Sequence, residues 1–504
     1  MGSVQQPSGA TDLDVLIVGA GISGINAAYR VKEAFPNINY AILEARGSIG
    51  GTWDLFKYPG IRSDSDLHTF GFAWRPWQEN RAIVDGPSIV SYMKESAAQY
   101  GIDKRIIFHT KVLESNWVSS EQKWHVYTES PSGPVEYTAK FVILGTGYYN
   151  YDSPLEAKIN GIENFEGKIV HPQFWPKDLD WTNKNVVVIG SGATAITILP
   201  AMGEKAAHVT MLQRSPTYIM ARPNSDPLDK VIRAVLPQSW ADSVVRWKWL
   251  LVPQIFFQFC RLLPSVAKKV LVRLARKQLP LGTTIDPDWT PQYNPWEQRL
   301  CISPDADFYE AIRSGKCSVV TGHIDTVTEK SIKLKDGREL HPDIIVTATG
   351  LRLLIGGGAK LTIDGKPFDL HEKYLWKGQM LEGVPNAAFA IGYTNASWTL
   401  GADATAKYVC RIIKHMQDSG AGAVVPRLTS DVRSTLNRDP PFNLKSTYLL
   451  KALDQLPLSG GKGVWQSRGN CLTDLVDTRF GTVTEGLEYV PGKVWGLGQN
   501  RHLQ

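Results

Sequence analysis

DVLIVGAGISG, Asp14 to Gly24, is an apolar run that ends in the spaced glycines Gly19, Gly21 and Gly24 and leads into the helical pattern INAAYRVKEAF. Strand, glycine turn and helix in that order give a GxGxxG motif its meaning. The glycines let the backbone approach a pyrophosphate, and the helix N-terminus stabilises its charge. A second strand, NYAILEA, ends at Glu44, twenty residues past Gly24, where a carboxylate accepts hydrogen bonds from ribose hydroxyls. The pattern returns at NVVVIGSGATA, Asn185 to Ala195, with Gly190, Gly192 and Ala195 in the three glycine positions. Each half closes on an apolar run ending in Thr-Gly, FVILGTG (Phe141 to Gly147) and DIIVTATG (Asp343 to Gly350). The expected fold class is α/β, with two Rossmann-like dinucleotide-binding domains. The plain alternative is a Rossmann core that holds no nucleotide.

The two sites differ after their second strands. In the second, HVTMLQRS ends in Gln213, Arg214 and Ser215, and no carboxylate stands where Glu44 stood. A carboxylate repels a 2′-phosphate, whereas Arg214 pairs with it and Ser215 donates a hydrogen bond. This predicts FAD in the first site and NADPH, rather than NADH, in the second. Ser23 joins the first set of cofactor candidates, and Ser191, Ala193 and Thr194 join the second.

The chain of 504 residues is long enough for two or three domains. The expected division is an FAD-binding domain over 1–150, the first part of an NADP-binding domain over 151–220, a helical insertion over 221–310, the rest of the NADP domain over 311–380, and a return to the FAD domain with a C-terminal cover over 381–504. The tail segment PFNLKSTYLLKALDQLPLSGGKGVW is expected to lie over the cofactor cleft. The five cysteines form no C-x-x-C pair. A disulfide framework and a dithiol redox centre are therefore not indicated, and scattered odd thiols suit a reducing compartment. No metal site is expected. The net charge of +6 is small for this length and points to anionic cofactors or surfaces rather than nucleic acid. The N-terminal MGSVQQPSGATDLD has no apolar core and QNRHLQ is no peroxisomal tripeptide, so a cytoplasmic location is expected. The expected state is a monomer or dimer.

From about Ala221 to Pro304 the Rossmann pattern stops. RWKWLLVPQIFFQFCRLL and AKKVLVRLARKQL are apolar-basic stretches at helical spacing, interrupted by Pro253, Gln254 and Gln258. One reading is a helical cap with a solvated basic face. The other is a monotopic surface in peripheral contact with a membrane, through which oily substrates enter.

Between the two nucleotide halves lies FEGKIVHPQFWP, Phe165 to Pro176. Its glycine, prolines and aromatics fit an ordinary crossing between domains. They also match Phe-x-Gly-x-x-x-His-x-x-x-Trp-Pro, at Phe165, Gly167, His171, Trp175 and Pro176. This resembles the fingerprint of the Baeyer–Villiger monooxygenases, a group of class B flavoprotein monooxygenases. A second family pattern falls in GGTWDLFKYPGIRSD, at Gly51, Trp53, Tyr58, Pro59, Gly60 and Asp64. Together with GYTNASWTL and the tail, the chain is most similar to the short members related to the bacterial thioamide-prodrug activator, over nearly its full length.

The resemblance implies that the Gly50 to Asp64 segment lines the flavin, with Asp64 near its ring system. It makes Arg299, in PWEQRLCISPDADFYEAI, an active-site arginine that pairs with Asp64. Thr52, Arg62, Ser63 and Val112 are further cofactor candidates. His171 and Trp175 are tied to domain positions that keep NADP⁺ in place. Relatives often carry a Lys before the arginine that touches the 2′-phosphate; this chain has Gln298. The implied reaction consumes NADPH and O2. Hydride reaches FAD, oxygen adds at flavin C4a, and the peroxide attacks a ketone to give an ester or lactone. The insertion's apolar character and the resemblance both favour open-chain aliphatic ketones. Three rivals remain: a sulfur or nitrogen oxygenase, an NADPH oxidase or flavin reductase, and a membrane-binding module with vestigial cofactor sites.

Overall fold

The computed structural model describes residues 12–441 and 452–492. Residues 1–11, the tail stretch 442–451, which takes in part of the expected cover, and residues 493–504, QNRHLQ among them, lie outside the described residues.

Two separate sheets carry the two glycine motifs. In the first, the strand Asp12–Val18 lies parallel to Tyr40–Leu43 on one side and to Gly133–Leu144 on the other. Burial of Val15, Leu16 and Ile17 on both faces explains why this run is apolar without alternation. Gly133–Leu144 serves two structures. Its first half pairs antiparallel with Lys123–Ser130, which pairs with Lys111–Val118, forming an antiparallel β-ribbon. Its second half continues into the parallel sheet, where Ala387–Phe389 joins it.

The second sheet is wholly parallel, in the order Cys317–Thr321, His208–Gln213, Asn185–Ile189, Ile344–Thr347, Lys168–Val170. The first helix of each motif follows its turn directly, Ile22–Ala34 and Ala193–Gly203. The fold is thus α/β with two dinucleotide-type units. The chain re-enters the first sheet earlier than residue 381. Lys360–Ile363 already pairs in parallel register with Lys111–Val118, Lys360 opposite Glu114. The run after the second Thr-Gly is too short and polar for its pairing partner to be read from pattern alone.

FEGKIVHPQFWP forms the edge of the second sheet. Lys168–Val170 lies beside Ile344–Thr347 in parallel register. The glycine of the motif has a steric cause: a β-carbon on Gly167 would stand 2.5 Å from the Phe165 ring and 2.6 Å from the Asp343 carbonyl oxygen. Phe165 folds back over Gly167 into a cluster with Val187, Ile189 and Ile345.

The insertion is closed at its base by two parallel strands, Ile219–Arg222 and Cys301–Pro304. Between them stand three helices, Pro227–Val235, Gln238–Leu262 and Pro264–Gln278. The last two meet at Leu263 and bend by 117°. No single helix among the described residues is long and apolar enough to cross a membrane, although this bent pair passes by length and composition together.

Candidate active site

A cavity of about 640 Å³ runs from the first glycine turn to the second domain. Gly19, Gly21 and Ser23 of the first turn line it, together with Glu44, Thr52, Trp53 and Val112. Arg62, Ser63, Asp64, Ala193, Thr194 and Arg299 line it as well. Residues 193, 194 and 299 come from outside the first sheet, so both nucleotide units contribute walls.

At the first turn the backbone is tightly folded. A β-carbon on Gly24 would meet the Gly19 carbonyl oxygen at 1.8 Å, so only glycine lets this helix start so close to the turn. Glu44 is buried, and its carboxylate accepts from the backbone N–H of Ala20 at 2.7 Å and of Arg46 at 2.9 Å. Burial pushes its carboxyl up from the usual range, and the two N–H donors oppose that. Each oxygen keeps a further lone pair for a ribose hydroxyl. Shape and donors together fit an FAD adenosine half.

The segment Gly50 to Asp64 then crosses to the second unit. Thr52 shares a hydroxyl hydrogen bond of 3.0 Å with Tyr151. Tyr58 lies against Thr194. A β-carbon on Gly60 would meet the Thr197 carbonyl oxygen at 2.8 Å, so the turn packs on the helix of the second motif. Beyond it, Arg62 is ion-paired to Asp307. Burial pushes the Asp64 carboxyl up, while the charges of Arg299 and then Arg62 pull it down. Arg299 stands two residues before the insertion's closing strand. One loop therefore brings Asp64 and Arg62 against Arg299 and Asp307, more than 230 residues away along the chain.

The second glycine turn is more open. Gly190 adopts φ +132°, and a β-carbon there would reach the Ala348 carbonyl oxygen at 2.3 Å. One on Gly192 would meet nothing within 4 Å. Ser191 donates to the Ser215 carbonyl at 3.3 Å, which sets the turn beside the end of the neighbouring strand. Arg214 is exposed there and Ser215 is half-buried, whereas Ala195 is fully buried in the core. The open space before a helix N-terminus fits a second pyrophosphate.

His171 and Trp175 do not line the cavity. His171 Nδ1 accepts from the Gln173 N–H at 3.2 Å, and the Gln173 amide donates to the Asn150 carbonyl at 2.7 Å. Burial holds the His171 imidazole below its ordinary value, with the Gly350 backbone opposing. The motif thus touches Asn150 and Gly350, one at each connector between the two units. Trp175 stands edge-on to Trp181 at 6.1 Å, packed against the core of the second unit.

Several cavity residues escaped sequence reasoning. Arg46 lines it and donates to Gly51 O at 3.0 Å and to Asp54 at 2.6 Å. Trp398, in the GYTNASWTL stretch, donates to the Ser23 hydroxyl at 2.9 Å and stacks on Tyr148 with centroids 4.8 Å apart. Outside the cavity lining, Asp307 is the acid that holds Arg62. The Trp398 stretch stood out in the sequence, but its partner is 375 residues away.

The comparisons agree with this geometry. The family model for pyridine nucleotide-disulphide oxidoreductase matches residues 16–238. That span contains no cysteine, so the match rests on the nucleotide fold and not on disulfide chemistry. Among solved structures, a steroid monooxygenase bound to NADP superposes with a TM-score of 0.73 at 21% identity, covering 95% of this chain and all 100% of the other. A cyclohexanone monooxygenase superposes with a TM-score of 0.71 at 17% identity, over 95% and 99% of the two chains. At these identities the likeness speaks for the fold. The "Probable FAD-binding monooxygenase AlmA" of Acinetobacter baylyi is 43% identical over 473 residues, 93% of this chain and 94% of its own. The "FAD-containing monooxygenase EthA" of Mycobacterium tuberculosis is 47% identical over 480 residues, 95% of this chain and 97% of its own. On sequence identity over nearly full length, on fold and on a matching nucleotide cradle, the chain belongs to the FAD-containing monooxygenases.

Proposed function

We propose that the protein is an NADPH-dependent Baeyer–Villiger monooxygenase that inserts one atom of O2 into ketones, open-chain aliphatic ones first, to give esters or lactones. One observation carries the reading: Asp64 and Arg299 come together in the lining of a cavity walled by both nucleotide units. When bound, FAD reduced by NADPH supplies the electrons and the oxygen-activating carbon.

The chain's own residues do the rest. Gly19, Gly21, Ser23 and Gly24 cradle the FAD pyrophosphate, Glu44 takes its ribose, and Thr52, Trp53, Ser63 and Val112 wall the remainder. Gly190 to Thr194 hold the NADPH pyrophosphate, with Arg214 and Ser215 at its 2′-phosphate. The guanidinium of Arg299 keeps its charge at any working pH. It stabilises negative charge developing on the reacting oxygens, an electrostatic role that gains strength in a dry site. Asp64, half-buried and opposite in charge, holds Arg299 in place. Arg62, neutralised by Asp307, keeps the loop closed without adding net charge. His171, set against both connectors, and Trp175 keep the second unit in the posture that retains NADP⁺. The apolar wall of Leu55, Phe56, Ile61, Leu351 and Leu354 suits an aliphatic substrate.

The test is product mass spectrometry with a medium-chain linear methyl ketone, NADPH and air. An ester one oxygen heavier than the ketone, formed in step with NADPH use, is expected. NADPH consumption with hydrogen peroxide and no ester would reject the ketone reading, and an organic sulfide converted to its sulfoxide in the same assay would redirect it to sulfur.

A further inference from the structure

The structure carries a second working surface that the cofactor cavity does not use. Residues 243–285 hold eight Lys and Arg and no Asp or Glu, within a chain whose acids and bases otherwise nearly balance. This run forms most of the long insertion helix Gln238–Leu262 and all of Pro264–Gln278.

The inner face of the long helix is fully employed. Arg246 donates to the carbonyls of His68 at 2.7 Å and Gly71 at 3.0 Å. Lys248 is paired with Asp226 and Asp229, and the Trp249 indole donates to Asp229 at 2.7 Å. Leu250 packs with Tyr393, a cavity-lining residue.

The outer face is another matter. Trp240 is 68% exposed, Ile255 67% and Leu262 75%, and Trp247, Val266 and Leu274 are exposed with them. Positions 240, 247, 251, 255 and 262 fall on one stripe of the long helix, and 266, 270 and 274 form an exposed apolar stripe of their own on the helix past the bend. Folded proteins seldom leave a contiguous apolar patch of this size to water. Arg261, Lys269, Arg273, Arg276 and Lys277 are all exposed on the same two helices, and no salt bridge is formed by any of them among the described residues. Two exposed tryptophans, an apolar stripe and unpaired cations, with no exposed acid on either helix, form the pattern of a helix lying in a lipid interface.

We propose that this bent helix pair docks the enzyme in the plane of an anionic phospholipid bilayer. The apolar stripe, with the Leu262–Leu263 elbow at its tip, enters the headgroup and acyl boundary. Arg261 and the basic face of Pro264–Gln278 meet lipid phosphates. The occupant is a bilayer rather than a second copy of the chain, because a second copy would bring the same positive charge against itself. Through Leu250 and Tyr393 the docked face backs directly onto the cavity wall, so an apolar substrate dissolved in the bilayer has a short way to the site. The docking stands whatever the oxygen acceptor is.

The experiment is flotation of FAD-loaded protein with vesicles of phosphatidylcholine mixed with phosphatidylglycerol, beside vesicles of phosphatidylcholine alone. Expected is binding to the anionic vesicles, weaker by about tenfold or more on the neutral ones or in high salt. The double variant Ile255→Glu/Leu262→Glu, both positions solvent-exposed, should lose binding by at least about tenfold while keeping bound flavin and NADPH oxidation. Lys269→Gln/Arg273→Gln should lower binding only to the anionic vesicles. Three results would overturn the proposal: no association with anionic vesicles, equal binding by wild type and the Glu variant, or a concentration-dependent dimer in analytical ultracentrifugation that the Glu variant abolishes. Because binding is read without turnover, it fails or holds apart from the ketone assay.

Discussion

Gly24 and Ala195 occupy the same position in the two glycine motifs, yet a β-carbon at the first would collide with Gly19 at 1.8 Å, while the second carries one in a fully buried core. The turns before them differ in the same direction. A β-carbon on Gly21 would find Gly51 of the overlying loop at 3.8 Å, whereas one on Gly192 finds nothing within 4 Å. The first site is roofed by Gly50 to Asp64 and braced from behind by the helix Trp398–Ser419, through Trp398 to Ser23 and Asp403 to Arg30 at 2.7 Å. The second site ends in an exposed Arg214. A covered, braced site suits a cofactor that stays through every turnover, and an open site suits one that arrives reduced and leaves oxidised. Similar local sequences thus form one covered and one open turn, and the difference lies in what the rest of the chain packs on them.

Five substitutions test this contrast. The largest effect is expected where the two sites meet. Arg299→Ala should lower product formation by about 100-fold or more, the scale for losing a charge-stabilising donor, while flavin reduction by NADPH under anaerobic conditions persists. Ester formation at a near-normal rate would falsify the role given to Arg299.

The next effect should separate the turns. Gly24→Ala forces the helix off the turn, so the purified protein should lack the flavin absorbance bands and melt earlier. Gly192→Ala should purify yellow and folded, with its defect confined to the KM for NADPH. Equal loss of flavin in both variants would mean that the turns are not differently packed.

The brace behind the first site makes a pH prediction. Burial alone would raise the Asp403 carboxyl, but Arg30 and Lys407 overrule it and hold it at about 2, against an ordinary 3.8. A depressed carboxyl contributes stability that is complete above its unfolded value and is lost as pH falls from there towards about 2. That difference corresponds to about 2 kcal/mol. Asp403→Asn should therefore lower thermal stability at neutral pH and flatten its decline below pH 4, as followed by flavin fluorescence on heating. An unchanged acid limb would remove Asp403 from the brace.

The smallest effect belongs to the open site. Arg214→Ala should reduce the preference for NADPH over NADH by about tenfold, mainly through KM, since one exposed charge-assisted contact is lost. A preference left intact would move the 2′-phosphate to other donors.

Much of this molecule was legible in one dimension. Glycine spacing after apolar strands reports a steric need of the backbone, and that need is local, so both nucleotide turns, Glu44 and the Arg214–Ser215 ending stood out in the sequence. The insertion's helical spacing was equally local. What could not be read were pairings over hundreds of residues: Asp307 for Arg62, Trp398 for Ser23, Asp403 for Arg30, and the early return of Lys360–Ile363 to the first sheet. No periodicity encodes such partners, because they are chosen by which elements the whole fold brings within a few ångströms. Two dinucleotide turns of different charge were readable from residue order alone, whereas Asp64 and Arg299 emerged as a pair only through family likeness. Tertiary structure alone decided that one loop crosses from the first unit to the second and brings that pair into one cavity. It also decided which faces of the insertion are spent inward and which are left outside. Burial and long-range charge are properties of the packed chain and have no value until it folds.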